Sequence, residues 1–300
     1  MVVVALLVPL VLVAFAFSVL LVRACLAAGA MRPRVEALLM SAVSNFFDTL
    51  GISSFATTLA WMRVRRLVPD RLIPPTLVAG YTLPTLLQSG VFLALLGVKV
   101  DPVLLVGCIA AMLAGGLVGA RLVTRTPVRI VQAIIGVALL LAAAFFTLAN
   151  LKLMPVGGTA TGLPPGLMAV TIAAHFVLGI LINFGVGNYA PTLAMLSLFG
   201  MDPRLAFPIM ASAGAFCIAG ASFRLVRREA ELDLRVVLGM AVGAIPAVLI
   251  AAFAVREMPL EWLRWLVVAV VTYAAITLLY AASTGTTSTI AAAEADPTPS

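Results

Sequence analysis

The chain is poor in charge. Asp, Glu, Lys and Arg together make up 10% of its 300 residues, against 63% hydrophobic residues and a mean hydropathy of +1.18. That balance excludes a soluble domain and calls for a lipid bilayer as solvent. Histidine occurs once, as His175, and the three cysteines Cys25, Cys108 and Cys217 lie far apart with no Cys-x-x-Cys pair. This scarcity argues against a disulfide framework, a structural zinc site or a haem attachment sequence. GxxxxGK[ST], a nucleophile elbow and HExxH are also missing, so nothing points to ATP use or hydrolysis. The chain is therefore expected not to be an enzyme and to use no cofactor or metal. A transmembrane barrel would need alternating strands of about ten residues. Instead the apolar runs are about 20 residues long and rich in Leu, Val and Ala, which predicts an all-α, polytopic membrane bundle.

What is present is a repeat. Residues 51–61, GISSFATTLAW, match residues 185–195, GVGNYAPTLAM, at a constant offset of 134. Gly51 meets Gly185, Phe55 meets Tyr189, and Thr58, Leu59 and Ala60 meet Thr192, Leu193 and Ala194. Downstream Pro74 and Gly80 fall on Pro208 and Gly214; at an offset of 132, Asp101, Gly107 and Pro127 fall on Asp233, Gly239 and Pro259. Apolar residues match by chance, but Gly, Pro and Asp in register do not. The pattern reads as a duplication with its core at 35–148 and 169–280. Residues 1–34 form an N-terminal helix and basic link, 35–149 repeat 1, 150–165 a Gly/Pro-rich linker, 166–283 repeat 2, and 284–300 a polar tail of disordered character. The first apolar run is too long for a signal peptide and has no basic residues ahead of it, so it is expected to remain as a helix with its N-terminus outside.

The formal charge of +7 does not signal nucleic acid, because the basic residues sit between apolar runs as topology determinants. If both motif segments, 35–61 and 166–199, crossed the bilayer, the basic residues would divide 9 to 10 between the two faces. If each motif segment is re-entrant and returns to its own side, the division becomes 14 to 5. The cytoplasmic excess of Lys and Arg in most bundles favours the second arrangement. It gives seven full crossings, with the C-terminus cytoplasmic. Each repeat then holds one hairpin and three spans, so the second is inverted relative to the first, as in many secondary transporters.

Broken backbone at membrane depth is tolerated only where it lines a protein-buried or watery cavity. Gly51, Gly185 and Gly187 would let the chain reverse, so that half-helices starting near residues 52 and 187 aim their N-termini, each carrying about half a positive charge, at the centre. Two such ends make an anion site. Ser53, Ser54, Thr57 and Thr58, with Asn188, Tyr189 and Thr192, would line it with donors that add no fixed charge. The competing reading is that small residues here serve close helix packing. Asp48, an acid well inside an apolar segment, is a proton-coupling candidate or a cap for the N–H groups after it. His175 is a proton relay candidate or a packing histidine bonded to a carbonyl. Gln88, Asn45 and Asn183 are weaker candidates.

NFFDTLGISSFATT, LVPDRLIPPTLVAG, GGLVGAR with TPVR, and LGILINFGVGNYAPTLAMLSLFGMDPRLAFPIM resemble the sulfite exporter TauE/SafE family, also called the TSUP family. The resemblance covers about residues 35–280. Its second half keeps Gly185, Gly187 and Pro191; its first has Ser53 and Ser54 where glycines are usual and Thr57 where the proline falls. The resemblance implies a bacterial inner-membrane protein that moves sulfite, sulfonates or related organosulfur anions without ATP, with Gly51, Ser53, Gly185, Gly187 and Pro191 forming the site. The expectation is thus a secondary transporter, an exporter by the resemblance, whose partners are a small anion and the bilayer. Homo-oligomerisation, substrate and direction are left open. The rival readings are an anion channel, an intramembrane enzyme built on Asp48 and His175, and an accessory subunit.

Overall fold

The computed structural model describes residues 2–51, 55–69, 72–96, 99–122, 128–151, 158–182, 187–227 and 232–284. The described chain is helical throughout: α1 (Val2–Ala27), α2 (Val35–Thr49), α3 (Phe55–Val64), α4 (Ile73–Leu95), α5 (Pro102–Leu122), α6 (Val128–Asn150), α7 (Pro165–Ile182), α8 (Tyr189–Leu198), α9 (Ala206–Arg227), α10 (Leu234–Glu257) and α11 (Leu260–Thr284). Eight helices, all but α2, α3 and α8, are long and apolar enough to cross a membrane. The molecule is a multi-pass membrane protein.

Seven crossings were expected from the charge pattern; the eighth apolar helix of sufficient length is α7, the first arm of the second motif. At 18 residues it rises about 27 Å, close to the thickness of the hydrocarbon core, so length and hydropathy alone make it a span. Its partner in the first repeat, α2, has 15 residues and carries Asn45 and Asp48.

Positions matched in the duplication take matching places. Asp101 and Asp233 each precede a helix and cap it: Asp101 Oδ1 accepts from the Val103 and Leu104 N–H groups, and Asp233 Oδ1 from those of Arg235 and Val236. A carboxylate at this position satisfies amides that have no partner inside the helix. Helix α2 packs on α10 while its counterpart α7 packs on α5. Both contacts are close because glycines line them. A methyl on Gly243 would collide with the Leu38 backbone, and one on Gly115 or Gly179 with the backbone across the α5–α7 contact. Close approach through small residues drives association where lipid is as apolar as the helices.

Helices α4 and α9 form the centre. Burial covers 72% and 82% of their spanning windows, against 17% in α1 and 22% in α7 and α11, which lie on the outside of the bundle. They run antiparallel, tied by Thr82 Oγ1 donating to Ser222 Oγ at 2.6 Å and Ser89 Oγ to Ser212 Oγ at 2.9 Å. Helix α1 has no counterpart in the repeat and covers α4, α9 and α10 from one side.

Candidate functional site

Each motif segment folds as a helical hairpin. In the first, Glu36 at the start of α2 accepts from Trp61 Nε1 (3.2 Å) and Arg65 Nε (2.7 Å) at the end of α3. Deeper in, Thr58 Oγ1 donates to Ser44 Oγ at 2.9 Å. Arg34 Nη1, just before α2, donates to the Leu67 carbonyl at 2.5 Å, just after α3. The hairpin therefore starts and finishes in the same place. Arg65 holds the partly exposed Glu36 carboxyl below its ordinary pKa by hydrogen bonding, with help from Trp61.

The second hairpin closes through its backbone. Ala160, ahead of α7, donates to the Gly200 carbonyl at 3.2 Å and accepts from Asp202 N–H at 3.0 Å, just past α8. Gly158 lies so close to Gly200 that a side chain would not fit.

The two mouths contact opposite ends of α10. Arg34, at the first mouth, pairs with Asp233 at 3.2 Å and its N–H donates to the Arg235 carbonyl at 3.3 Å, where α10 begins. Arg204, beside the second mouth, donates to the Met258 carbonyl, where α10 ends. The 24 residues between span about 36 Å.

The tips meet. The Leu50 and Gly51 N–H groups close the turn after α2, and Gly51 takes φ +96°, a conformation that favours glycine. A Cβ placed there would lie 3.8 Å from Leu193 of α8 and 3.6 Å from Val270 of α11. From α4, Gln88 joins both tips: Tyr189 Oη donates to Gln88 Oε1 at 2.8 Å, and Gln88 Nε2 reaches the Asp48 carbonyl in a longer contact of 3.4 Å. All three residues are buried, with exposures of 8%, 1% and 6% for Tyr189, Gln88 and Asp48.

Beside this bridge, Tyr81 of α4 is fully buried, stacks on Phe55 at 4.4 Å and lies 2.8 Å from Thr58 Oγ1. The Thr58 proton goes to Ser44, so the Tyr81 hydroxyl is the donor. Asn188 precedes α8 but does not cap it; its Nδ2 donates instead to the Met210 carbonyl of α9 at 2.8 Å, with Gly214 making room. The Asn188 side chain is thus not used as a cap for α8, and Pro191 in its first turn is partly buried. Gly187 is exposed.

Of the residues singled out in the sequence, Asp48, Gly51 and Tyr189 come together. Ser53, Ser54 and Gly185 lie outside the described residues, as does the side chain of Thr57 in α3. His175 sits apart, with both ring nitrogens engaged inside the second hairpin: Nδ1 with the Thr171 carbonyl at 2.9 Å and Nε2 with Thr192 Oγ1 at 3.3 Å. A carbonyl can only accept, so the neutral ring carries its proton on Nδ1 and takes a hydrogen bond from Thr192. Gln88, only a weak signal in the sequence, is the residue that connects the hairpins. Tyr81 was not signalled, although it follows the repeated Gly80 directly. Among the described residues no group of three or more His, Cys, Asp or Glu side chains could hold a metal. Comparison with family models, with curated proteins and with solved structures finds no match for this chain.

Proposed function

We propose that the protein is a secondary transporter of small anions, with sulfite, sulfonates and related organosulfur anions as the substrate class and the meeting point of the hairpin tips as the binding place. On this reading the hairpins are re-entrant, the repeats are inverted, and the chain is not an enzyme. The observation that carries it is the join at the centre, where a side chain on Gly51 would meet Leu193 and where Gln88 bridges Asp48 to Tyr189. Mouths at opposite ends of α10 support the inversion. The start of α8, which Asn188 does not cap, supports an anion, since the amides of a helix N-terminus and the helix dipole favour negative charge. The donors that reach the tips are neutral hydroxyl and amide groups, which suit a ligand that must be released as well as bound. The resemblance to the TauE/SafE family names the chemical class.

Coupling to protons would run through Asp48, which is buried beside the Gln88 bridge. Flux into proteoliposomes tests the reading. Saturable, protein-dependent uptake of sulfite or a sulfonate is expected, reduced at least about tenfold in Gln88→Leu because a buried polar bridge is lost. Uptake that no such anion elicits would refute transport of this class. Uptake indifferent to a pH gradient would remove Asp48 as the coupling group.

A further inference from the structure

The bundle carries its charge at one end, where contacts join elements that lie far apart in the sequence. Arg34, ahead of α2, donates to the Leu67 carbonyl after α3, pairs with Asp233, and sends its N–H to the Arg235 carbonyl at the start of α10. Leu21, Ala24 and Cys25 near the end of α1 are buried in one cluster with Val226 of α9 and Leu234 of α10. The described parts of three stretches, 23–36, 63–71 and 224–235, thus meet at this end, and the stretches together hold eleven arginines and five acids. The other end, where Gly162 adjoins Asp101 and Arg204 reaches the Met258 carbonyl, is nearly balanced. Stretches 99–102, 150–165, 199–205 and 256–264 hold five basic residues and four acids.

Two acids at the charged end are already engaged, Glu36 with Arg65 and Asp233 with Arg34. Arg23, Arg32, Arg66, Arg227 and Arg235 are exposed, and among the described residues their side chains form no ion pair. Like charges gathered at one end repel one another, so the face favours a surface that brings several anions at once. Bare apolar side chains beside the arginines favour a lipid over a nucleic acid or an acidic protein. Val22 and Leu26 flank Arg23 on α1, and Val35 and Leu39, one turn apart on α2, carry an exposed apolar strip away from Arg32. A lipid offers phosphate to the guanidinium groups and acyl chain to the residues next to them. We propose that this end of the bundle is an anionic-lipid surface, at which Arg23, Arg32, Arg66, Arg227 and Arg235 hold phosphate headgroups and Val22, Leu26, Val35 and Leu39 lie against the acyl chains. The surface is separate from the hairpin tips and does not depend on the transport reading.

The test uses the full chain in detergent with equal amounts of phosphatidylglycerol and phosphatidylcholine, and native mass spectra read which lipid stays bound. Phosphatidylglycerol is expected in excess, and the excess should shrink as salt is raised. Arg23→Gln and Arg235→Gln are each expected to lower phosphatidylglycerol binding about fivefold. The fourfold variant Arg23→Gln/Arg32→Gln/Arg227→Gln/Arg235→Gln should lose the preference. Lys99→Gln/Arg256→Gln, which changes exposed residues at the other end, should keep it. Because the replaced arginines are exposed, melting in phosphatidylcholine nanodiscs is expected to match the parent; should the fourfold variant melt lower, the two single variants decide. Equal retention of both lipids by the parent overturns the proposal. So does a preference that survives the arginine variants, or one that falls as far in Lys99→Gln/Arg256→Gln. Binding of heparin without any lipid preference would assign the face to a soluble polyanion and overturn it too. No arm reads flux, so failure here leaves the transport reading standing.

Discussion

The two hairpins share a plan and differ in what fastens them. The first is closed by side chains: the ion pairs Glu36–Arg65 and Arg34–Asp233 at its mouth, and the hydroxyl chain Tyr81–Thr58–Ser44 inside. The second is closed by backbone, with Ala160 between Gly200 and Asp202, and by glycine contacts that press α7 onto α5. Exposed ion pairs are weak and screened by salt, whereas backbone hydrogen bonds and close-packed glycines yield only if helices move. The first mouth is thus the one that solvent can loosen, and the second is held by shape.

The largest effect should come from disturbing the contacts held by shape. Gly179→Ala sets a methyl against α5 backbone and is expected to cost about 2 kcal/mol. Gly243→Ala should do the same to α2 on α10, whereas Gly220→Ala, with open space around it, should be neutral or slightly stabilising. Melting of the three variants side by side checks this; equal values would mean that glycine packing does not hold the arms.

Next comes the bridge shared by both hairpins. Gln88→Leu leaves the Tyr189 hydroxyl buried without its acceptor and should cost about 2 kcal/mol. A double-mutant cycle with Tyr189→Phe should return a coupling of about 1 kcal/mol. A coupling near zero would separate the tips energetically. Tyr81→Phe, which touches only the first hairpin, should cost about 1 kcal/mol through the lost bond to Thr58.

The smallest effect belongs to the first mouth. Glu36 has a lowered pKa in the folded protein, so its pair with Arg65 adds stability above the ordinary value of 4.5 and loses it as pH falls through the folded value. Glu36→Gln should melt slightly below the parent at pH 7, and the gap should close in acid. High salt should narrow it as well.

Much of this arrangement was legible in the sequence, because the signals were local. Gly51 marked the first break, and half-helices expected from residues 52 and 187 begin at Phe55 and Tyr189. Aspartates in register at 101 and 233 both proved to be caps. What was not legible depends on partners far along the chain. Gln88 gains its meaning only from Tyr189, 101 residues away, and Tyr81 only from Thr58 on the other arm of a hairpin. Helix α7 shows the limit of hydropathy, since an arm of a hairpin and a full span can have the same length and composition.

The most direct measurement is sidedness. With Cys25, Cys108 and Cys217 replaced, single cysteines are introduced as Arg32→Cys, Arg66→Cys, Thr159→Cys and Glu257→Cys, all at exposed positions, and labelled in oriented vesicles with a membrane-impermeant maleimide. Two hairpins opening to opposite faces predict that Arg32→Cys and Arg66→Cys label together from one side, and Thr159→Cys and Glu257→Cys together from the other. Labelling of Arg32→Cys and Arg66→Cys from different sides would mean that the first motif crosses the membrane, and would contradict the meeting of two re-entrant tips.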